Sequence, residues 1–145
     1  MPKPKVIVAL RDPESVESLM TLAVQLSNGM DAELIVLHVV EVPPATPIEA
    51  EDEVLDHDGK EILAAAKRVA ERSSKKISTE LLRAREAGEA VAGEAKDRGA
   101  ELLIMGYHRP HPHALRELLL GSTVQYVAHH APCRVIVQIP PPKHR

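Results

Sequence analysis

Apolar and polar residues follow one another in blocks along the chain, and the blocks predict strands alternating with helices. Four short runs are mostly apolar and rich in β-branched residues, which is typical of strands buried on both faces of a parallel sheet. They are Lys5–Leu10, Ala32–Val40, Glu101–Met105 and Val135–Ile139. A fifth run, Ile77–Arg85, alternates only weakly, and we predict that it is a strand nearer an edge of the sheet.

Four segments between these strands place apolar residues at helical spacing. They are Pro13–Gly29, about Glu49–Ser73, Ala87–Arg98 and Gly121–Ala131. Asp12 and Pro13 suit the N-cap and the first position of the first helix. The last helix is expected to end before Pro132, because proline cannot continue a helix. Its predicted apolar face consists of Val124, Val127 and Ala128.

The alternating order of five predicted strands and four predicted helices favours one α/β domain over residues 1–145. Such a fold is an open parallel sheet with helices on both faces, and its ligands bind beyond the carboxyl ends of the strands. Those ends carry Arg11-Asp12, Val40-Glu41 and Gly106-Tyr107-His108. We therefore expect a binding site to be assembled from these three places.

Composition narrows the classes of function. The chain has two Tyr and neither Phe nor Trp, so no aromatic platform for single-stranded nucleic acid is expected. The net charge is −3 without a block of like charges, which argues against binding to DNA. The single Cys133 excludes an internal disulfide or a multi-cysteine zinc site and fits a reducing cytoplasm. Since no signal peptide and no apolar run of roughly 18 residues is seen, no membrane span is expected.

Gly121-Ser122-Thr123 lies where a loop enters the last predicted helix and is the main candidate for ligand binding. A helix N-terminus that follows a strand and a glycine-containing loop offers free backbone N–H groups to an anion. An ordinary helix start with a Ser or Thr cap explains the same residues. The residues alone favour the cap, so phosphate binding stays open at this point.

Histidine and acidic residues give weaker candidates. His108, His111 and His113 have side chains that bind transition metals. However, prolines between them break up any regular element, and a solvated loop is the favoured interpretation. Asp12 has the oxygen ligands to assist Mg²⁺ beside a nucleotide, although its N-cap position explains it without a ligand.

Four further residues have structural explanations. His38 is interpreted as a hydrogen-bonded histidine of the core or of a cleft edge. Cys133 is expected to pack as a small apolar residue, because no catalytic arrangement of Cys, His and Asn can be identified. His129 and His130 lie in the last turn of a predicted helix, where positive charge complements the helix dipole.

The chain resembles the universal stress protein family along nearly its whole length, and four segments carry the resemblance. They are KVIVAL, ELIVLHVVEVP, GAELLIMG and LLLGSTVQYVAHHAPCRVIVQI. The resemblance implies a five-stranded parallel sheet in the order 3-2-1-4-5, a homodimer in many members, and bound ATP or AMP in some. Nucleotide-binding members share the pattern G-x2-G-x9-G-[ST], and their first strand usually ends in an Asp that lines the nucleotide cleft.

The chain departs from this pattern at three points. Gly106 matches the first glycine, but Arg109 stands at the second, so a side chain lies where backbone should approach phosphate. The segment between Gly106 and Gly121 has 14 residues, where the pattern has 12. Arg11 stands where the family has its acid, with Asp12 one place later. A guanidinium could instead bind a phosphate through two hydrogen bonds.

The resemblance predicts that the chain is a cytoplasmic regulatory module whose ligand is ATP or AMP, with Mg²⁺ as a further cofactor. The residues expected to contact the nucleotide are Leu10, Arg11, Asp12, Val40, Met105, Gly106, Arg109, Gly121, Ser122 and Thr123. Because aromatic side chains are missing, adenine is expected to lie on Val8, Val40 and Met105. The strand Val135–Ile139 is expected to pair with its copy in a homodimer, since an exposed apolar edge otherwise invites aggregation.

Two other functions stay open. Arg11 and Arg109 favour a nucleotide-free regulatory or scaffold domain. The start VALRDPES and the altered glycine motif also resemble the universal-stress-protein domains attached to amino-acid permeases, so this alternative implies a transporter as partner. A slow ATP hydrolase is the least favoured function, because it needs a positioned general base and a metal site that the sequence does not identify.

Overall fold

The computed structural model describes residues 2–107 and 121–139, in which five strands alternate with four helices. The strands are β1 Lys5–Ala9, β2 Glu33–Glu41, β3 Ile77–Ala84, β4 Leu102–Gly106 and β5 Arg134–Gln138. The helices are α1 Val16–Gly29, α2 Glu53–Arg72, α3 Ala87–Arg98 and α4 Gly121–His130. A 3₁₀ turn, Pro13–Ser15, precedes α1. Within the described ranges, no helix combines the length and the apolar character that crossing a bilayer requires.

The five strands form one parallel sheet in the order β3-β2-β1-β4-β5. β1 lies in the middle, where Val8 pairs with Val36 of β2 and with Ile104 of β4. The predictions of an open parallel α/β sheet and of its strand order are therefore confirmed. β3 lies at one edge, as its weak alternation predicts, and β5 lies at the other.

Each face of the sheet carries its own aliphatic core, because successive strand residues point to opposite faces. Val6 and Val8 of β1 point to the face that α1 and α2 cover, and Ile7 points to the face of α3 and α4. All three side chains are fully buried. Burying one such side chain stabilises the fold by roughly 1.5–3 kcal/mol, so the sheet is held from both sides.

Two details of the helices differ from the sequence prediction. α2 begins at Glu53 rather than near Glu49, because the Asp52 side chain caps it and accepts hydrogen bonds from the N–H groups of Val54 and Leu55. The prediction that Ala128 lies on the buried face of α4 is wrong, since Ala128 is exposed. α4 covers the outer part of the sheet beside α3, and a narrow stripe containing Val124 and Val127 suffices to bury its inner side.

Candidate functional site

A cavity of about 110 Å³ lies beyond the carboxyl ends of β1, β2 and β4. Its floor is aliphatic and is formed by Ala9, Val39 and Met105, one residue from each strand. Its walls come from the first turns of α3 and α4. β2 pairs with β1 on one side and β4 pairs with it on the other, so the strand order reverses at β1. The cavity therefore lies at the switch point where ligands bind in open α/β sheets.

Leu10, Arg11 and Asp12 follow β1 and form one rim of the cavity. Backbone and side-chain contacts fix this segment. The Leu10 N–H donates to the Leu37 carbonyl oxygen at 2.9 Å, and its own carbonyl oxygen lies 2.9 Å from His38 Nδ1. His38 is half-buried and outside the cavity lining, so its interpretation as a hydrogen-bonded histidine is confirmed.

The β4 rim consists of Gly106 and Tyr107. A Cβ atom at Gly106 would lie 3.0 Å from Leu19 Cδ1, so a larger residue there would press on a side chain that also lines the cavity. The Tyr107 N–H donates to the Gln138 carbonyl oxygen at 2.9 Å. Tyr107 is half-buried and is the one aromatic residue among the described residues that line the cavity.

The N-terminus of α4 approaches the cavity from the β4 side. Gly121 is the first residue of the helix, and Thr123 in its first turn is half-buried and lines the cavity. Ser122 is exposed and lies outside the lining. The first N–H groups of a helix have no partner within it and carry partial positive charge, which favours an anion at this end.

Glu41 and α3 close the opposite side of the cavity. Glu41 ends β2, and its Oε2 atom accepts a hydrogen bond from the Ala87 N–H at 3.0 Å. Ala87 is the first residue of α3, and with Val91 it lines the cavity. The carboxylate thus caps α3 from a neighbouring strand and presents an acceptor group to the cavity.

The structure brings together most residues that the sequence predicts to contact a nucleotide. The predicted residues that line the cavity are Leu10, Arg11, Asp12, Met105, Gly106 and Thr123. Val40 and Val8 point to the α1/α2 side of the sheet and are buried, and Val39 lines the cavity in their place. Arg109 lies outside the described residues.

Glu41 and Tyr107 line the cavity at strand ends where the sequence predicted a binding site, although neither was predicted to contact the nucleotide, and Val39 lines it without having been predicted. The signal for the first two was their position directly after the last buried residue of a strand. No sequence signal marked Val39, because β2 is apolar on both faces. In the structure it shares a face with Leu37, two residues earlier, which belongs to the core on the α3/α4 side.

The remaining candidates of the sequence are histidines and the single cysteine. His108, His111 and His113 lie outside the described residues, and the described ranges contain no group of three His, Cys, Asp or Glu side chains suited to a metal. Cys133 packs against the apolar core on the α3/α4 side, as predicted, and burial raises the pKa of its thiol. His130 Nδ1 lies 2.9 Å from the Tyr126 carbonyl oxygen in the last turn of α4.

A model of the Universal stress protein family matches residues 4–138 of the chain. The chain belongs to the universal stress protein family. A universal stress protein of Methanocaldococcus jannaschii is 34% identical over 127 residues, which cover 83% of this chain and 73% of that protein. Universal stress protein A homolog 2 of Coxiella burnetii is 33% identical over 144 residues, which cover 91% of this chain and 92% of its own.

Solved structures of universal stress proteins share the fold. One from Archaeoglobus fulgidus, in complex with dAMP, superposes with a TM-score of 0.73 at 18% identity and covers 94% of this chain and 98% of its own. One from Arabidopsis thaliana, with AMP bound, has a TM-score of 0.67 at 17% identity and covers 94% of this chain and 91% of its own. Because both identities are below 20%, these superpositions show that this universal stress protein shares the fold of the two structures and nothing further.

Proposed function

We propose that this universal stress protein is a cytoplasmic regulatory module that binds an adenine nucleotide, ATP or AMP, in the cavity at the switch point. The observation that carries the proposal is the meeting of three distant segments in one cavity. The segment after β1, the end of β4 and the first turn of α4 each contribute residues that the family resemblance assigns to nucleotide contact. Two structural neighbours hold dAMP and AMP.

The two sides of the cavity suit the two ends of a nucleotide. The N-terminus of α4 and the Thr123 hydroxyl suit a phosphate, which accepts hydrogen bonds from both. The exposed Arg11 guanidinium at the rim supplies positive charge. The aliphatic floor on the β1 and β2 side suits the faces of a purine base. Asp12 lines the same cavity and has the carboxylate oxygens that Mg²⁺ prefers.

Binding rather than hydrolysis is proposed, because phosphoryl transfer to water needs a residue that positions the attacking water and a held metal ion. Of the described acids that line the cavity, Glu41 is engaged with the α3 backbone.

A homodimer through β5 completes the proposal, since an edge strand of valine and isoleucine offers unpaired backbone groups to a second copy.

A nucleotide-free scaffold domain, partnered by a transporter such as an amino-acid permease, is the second candidate. Arg11 favours it, because a cation lines the cavity where the family usually has an acid. The two candidates differ in one measurable property, the affinity of the folded chain for AMP and ATP.

Calorimetric titration with AMP and ATP, with and without Mg²⁺, tests the proposal on protein that mass spectrometry shows to be free of ligand. We expect micromolar binding and a loss of about tenfold in affinity for Thr123→Val, which removes a hydroxyl that hydrogen-bonds a charged phosphate. Thr79→Val on β3 lies outside the cavity lining and is the matched control. Absence of heat up to millimolar nucleotide, from folded protein, would favour the scaffold.

A further inference from the structure

Glu41 is held in place by a group that belongs to the wall of the cavity. Its Oε2 atom accepts from the Ala87 N–H at 3.0 Å, and the side chain as a whole is exposed. A glutamate side chain has several rotatable bonds, so this hydrogen bond fixes a carboxylate that would otherwise move freely. Its Oε1 atom makes no hydrogen bond with any described residue and remains an acceptor.

The position of Glu41 in the sheet order gives the proposed nucleotide a direction. β2 and β4 flank β1, so their carboxyl ends lie roughly 10 Å apart. The helix N-terminus that attracts an anion is at the β4 side, and Glu41 repels an anion from the β2 side. The phosphate therefore faces Thr123, and the base faces Val39, Val91 and Glu41.

We propose that Glu41 is a specificity-determining residue whose carboxylate accepts a hydrogen bond from the amino group on the edge of the purine base. This inference rests on the proposed nucleotide site. An ionised carboxylate has acceptors only, so it favours a base edge that presents an N–H donor. A purine without the amino group leaves the carboxylate desolvated beside the ligand without a partner, which weakens binding.

The test compares AMP with purine riboside 5′-monophosphate, which lacks only the amino group, and with 2′-deoxy-AMP, by calorimetry on the full chain. Wild type is expected to bind AMP about tenfold more tightly than purine riboside 5′-monophosphate. Glu41→Ala should bring this ratio close to one, and Glu41→Gln should keep part of it because the amide oxygen still accepts. Glu86→Ala, an exposed acid outside the lining, is the matched control and should keep the full ratio.

Ala87→Pro tests the anchoring without removing the carboxylate. Proline is favoured at the first position of a helix, and Glu86 before it has φ −133° and ψ 128°, which a following proline tolerates. The substitution deletes the N–H that holds Glu41. We expect the ratio of AMP to purine riboside 5′-monophosphate affinities to fall between those of wild type and Glu41→Ala.

The outcomes separate this inference from the proposed function. If wild type binds no nucleotide, both the proposed function and the role of Glu41 are refuted. If AMP binds but Glu41→Ala leaves the ratio unchanged and only lowers the melting temperature, Glu41 is a helix cap alone and the inference is overturned while the site stands. If Glu41→Ala instead abolishes a preference for AMP over 2′-deoxy-AMP, the carboxylate contacts the sugar, and its assignment to the base is wrong.

Discussion

Arg11 is the one cationic side chain among the described residues that line the cavity, and Asp12 and Glu41 are its acidic neighbours there. Together these side chains carry one positive and two negative charges, so Arg11 supplies the positive charge among the described lining side chains. A guanidinium binds phosphate oxygens through two parallel hydrogen bonds and keeps its charge at all working pH values. Arg11 is therefore the described lining side chain that is suited to pair with a phosphate.

Replacing Arg11 with Gln should lower AMP affinity about tenfold, because it removes a charge-assisted hydrogen bond to phosphate. The salt dependence of binding should fall as well, since fewer charges are paired. Calorimetry at two salt concentrations measures both effects. Arg68→Gln, an exposed arginine on α2 outside the cavity lining, serves as control. A rise in AMP affinity on replacing Arg11 would mean that this cation blocks the site.

At the scale of single residues, the sequence locates the cavity better than it selects the side chains inside it. Arg11-Asp12 and Gly106-Tyr107 were found because ligands bind after the ends of buried strands, whereas Leu10 and Met105 were named with the family resemblance. Val40 was chosen where Val39 lines the cavity. A strand that is apolar on both faces carries no alternation, so its sequence does not reveal which residues share a face.

The elements α2 and β3 are joined by an ion pair that no sequence pattern indicated. Arg83 Nη2 of β3 donates to Asp56 Oδ2 of α2, and the Asp56 side chain is only 5% exposed. Asp56 Oδ1 has no hydrogen-bond partner among the described residues. A buried carboxylate that loses its only cation becomes an uncompensated charge, so the two side chains depend on each other.

Replacing Arg83 with Met should lower the free energy of unfolding by about 2–3 kcal/mol, at the low end for a broken buried pair because Arg83 is partly exposed. The double variant Asp56→Leu, Arg83→Met should recover most of this loss, since it removes both charges and keeps apolar volume. Urea unfolding of wild type, both single variants and the double variant measures the coupling. If the double variant loses as much unfolding free energy as the two single variants together, the ion pair contributes nothing to stability.

The end of a helix was predictable from the sequence where a local capping residue sets it. It was not predictable where tertiary contacts hold the adjoining loop. Gly99, in the left-handed region at φ 63°, ends α3 where the sequence predicts. The start of α2 was placed too early because Glu49 to Glu51 favour helices by propensity alone. In the structure, Arg85 Nη1 donates to the Thr46 carbonyl oxygen at 2.7 Å and holds the preceding loop. Such a tertiary contact cannot be identified from local sequence.

At the scale of the whole molecule, the two edges of the sheet differ. β3 carries Glu80 and Arg83, whose ion pairs tie this edge to neighbouring helices. β5 carries Val135, Ile136 and Val137, all half-buried, and is followed by the exposed Ile139. The β5 edge is therefore the apolar one, and it is the edge that we propose for pairing with a second copy.

Val137→Pro should convert the proposed dimer into a folded monomer. The Gln138 carbonyl oxygen accepts from the Tyr107 N–H, so the neighbouring Val137 N–H points away from β4 towards the open edge. Proline removes that donor and is tolerated on edge strands. Val137→Thr keeps the N–H and should remain dimeric. Sedimentation velocity measures the mass, and a wild-type monomer would refute pairing through β5.

Alternating strands and helices predict the parallel sheet without a homologue, but they do not predict its order. Right-handed crossovers can add the next strand on either side of the last one. The order 3-2-1-4-5 came from the family resemblance, and the observed pairing of β1 with both β2 and β4 confirms it. Strand order depends on contacts between distant segments, which local periodicity does not encode.

The almost complete absence of aromatic residues has an optical consequence. Without Trp, the near-ultraviolet absorption and emission of the chain come from its two tyrosines. Tyr107 lines the cavity, and Tyr126 stacks on His130 at a centroid distance of 4.0 Å on α4. Because the chain has no Trp, tyrosine excitation is not lost by energy transfer to an indole. The protein therefore has an intrinsic fluorophore at the rim of its cavity. We expect its tyrosine emission to change when the cavity is occupied, without any added label.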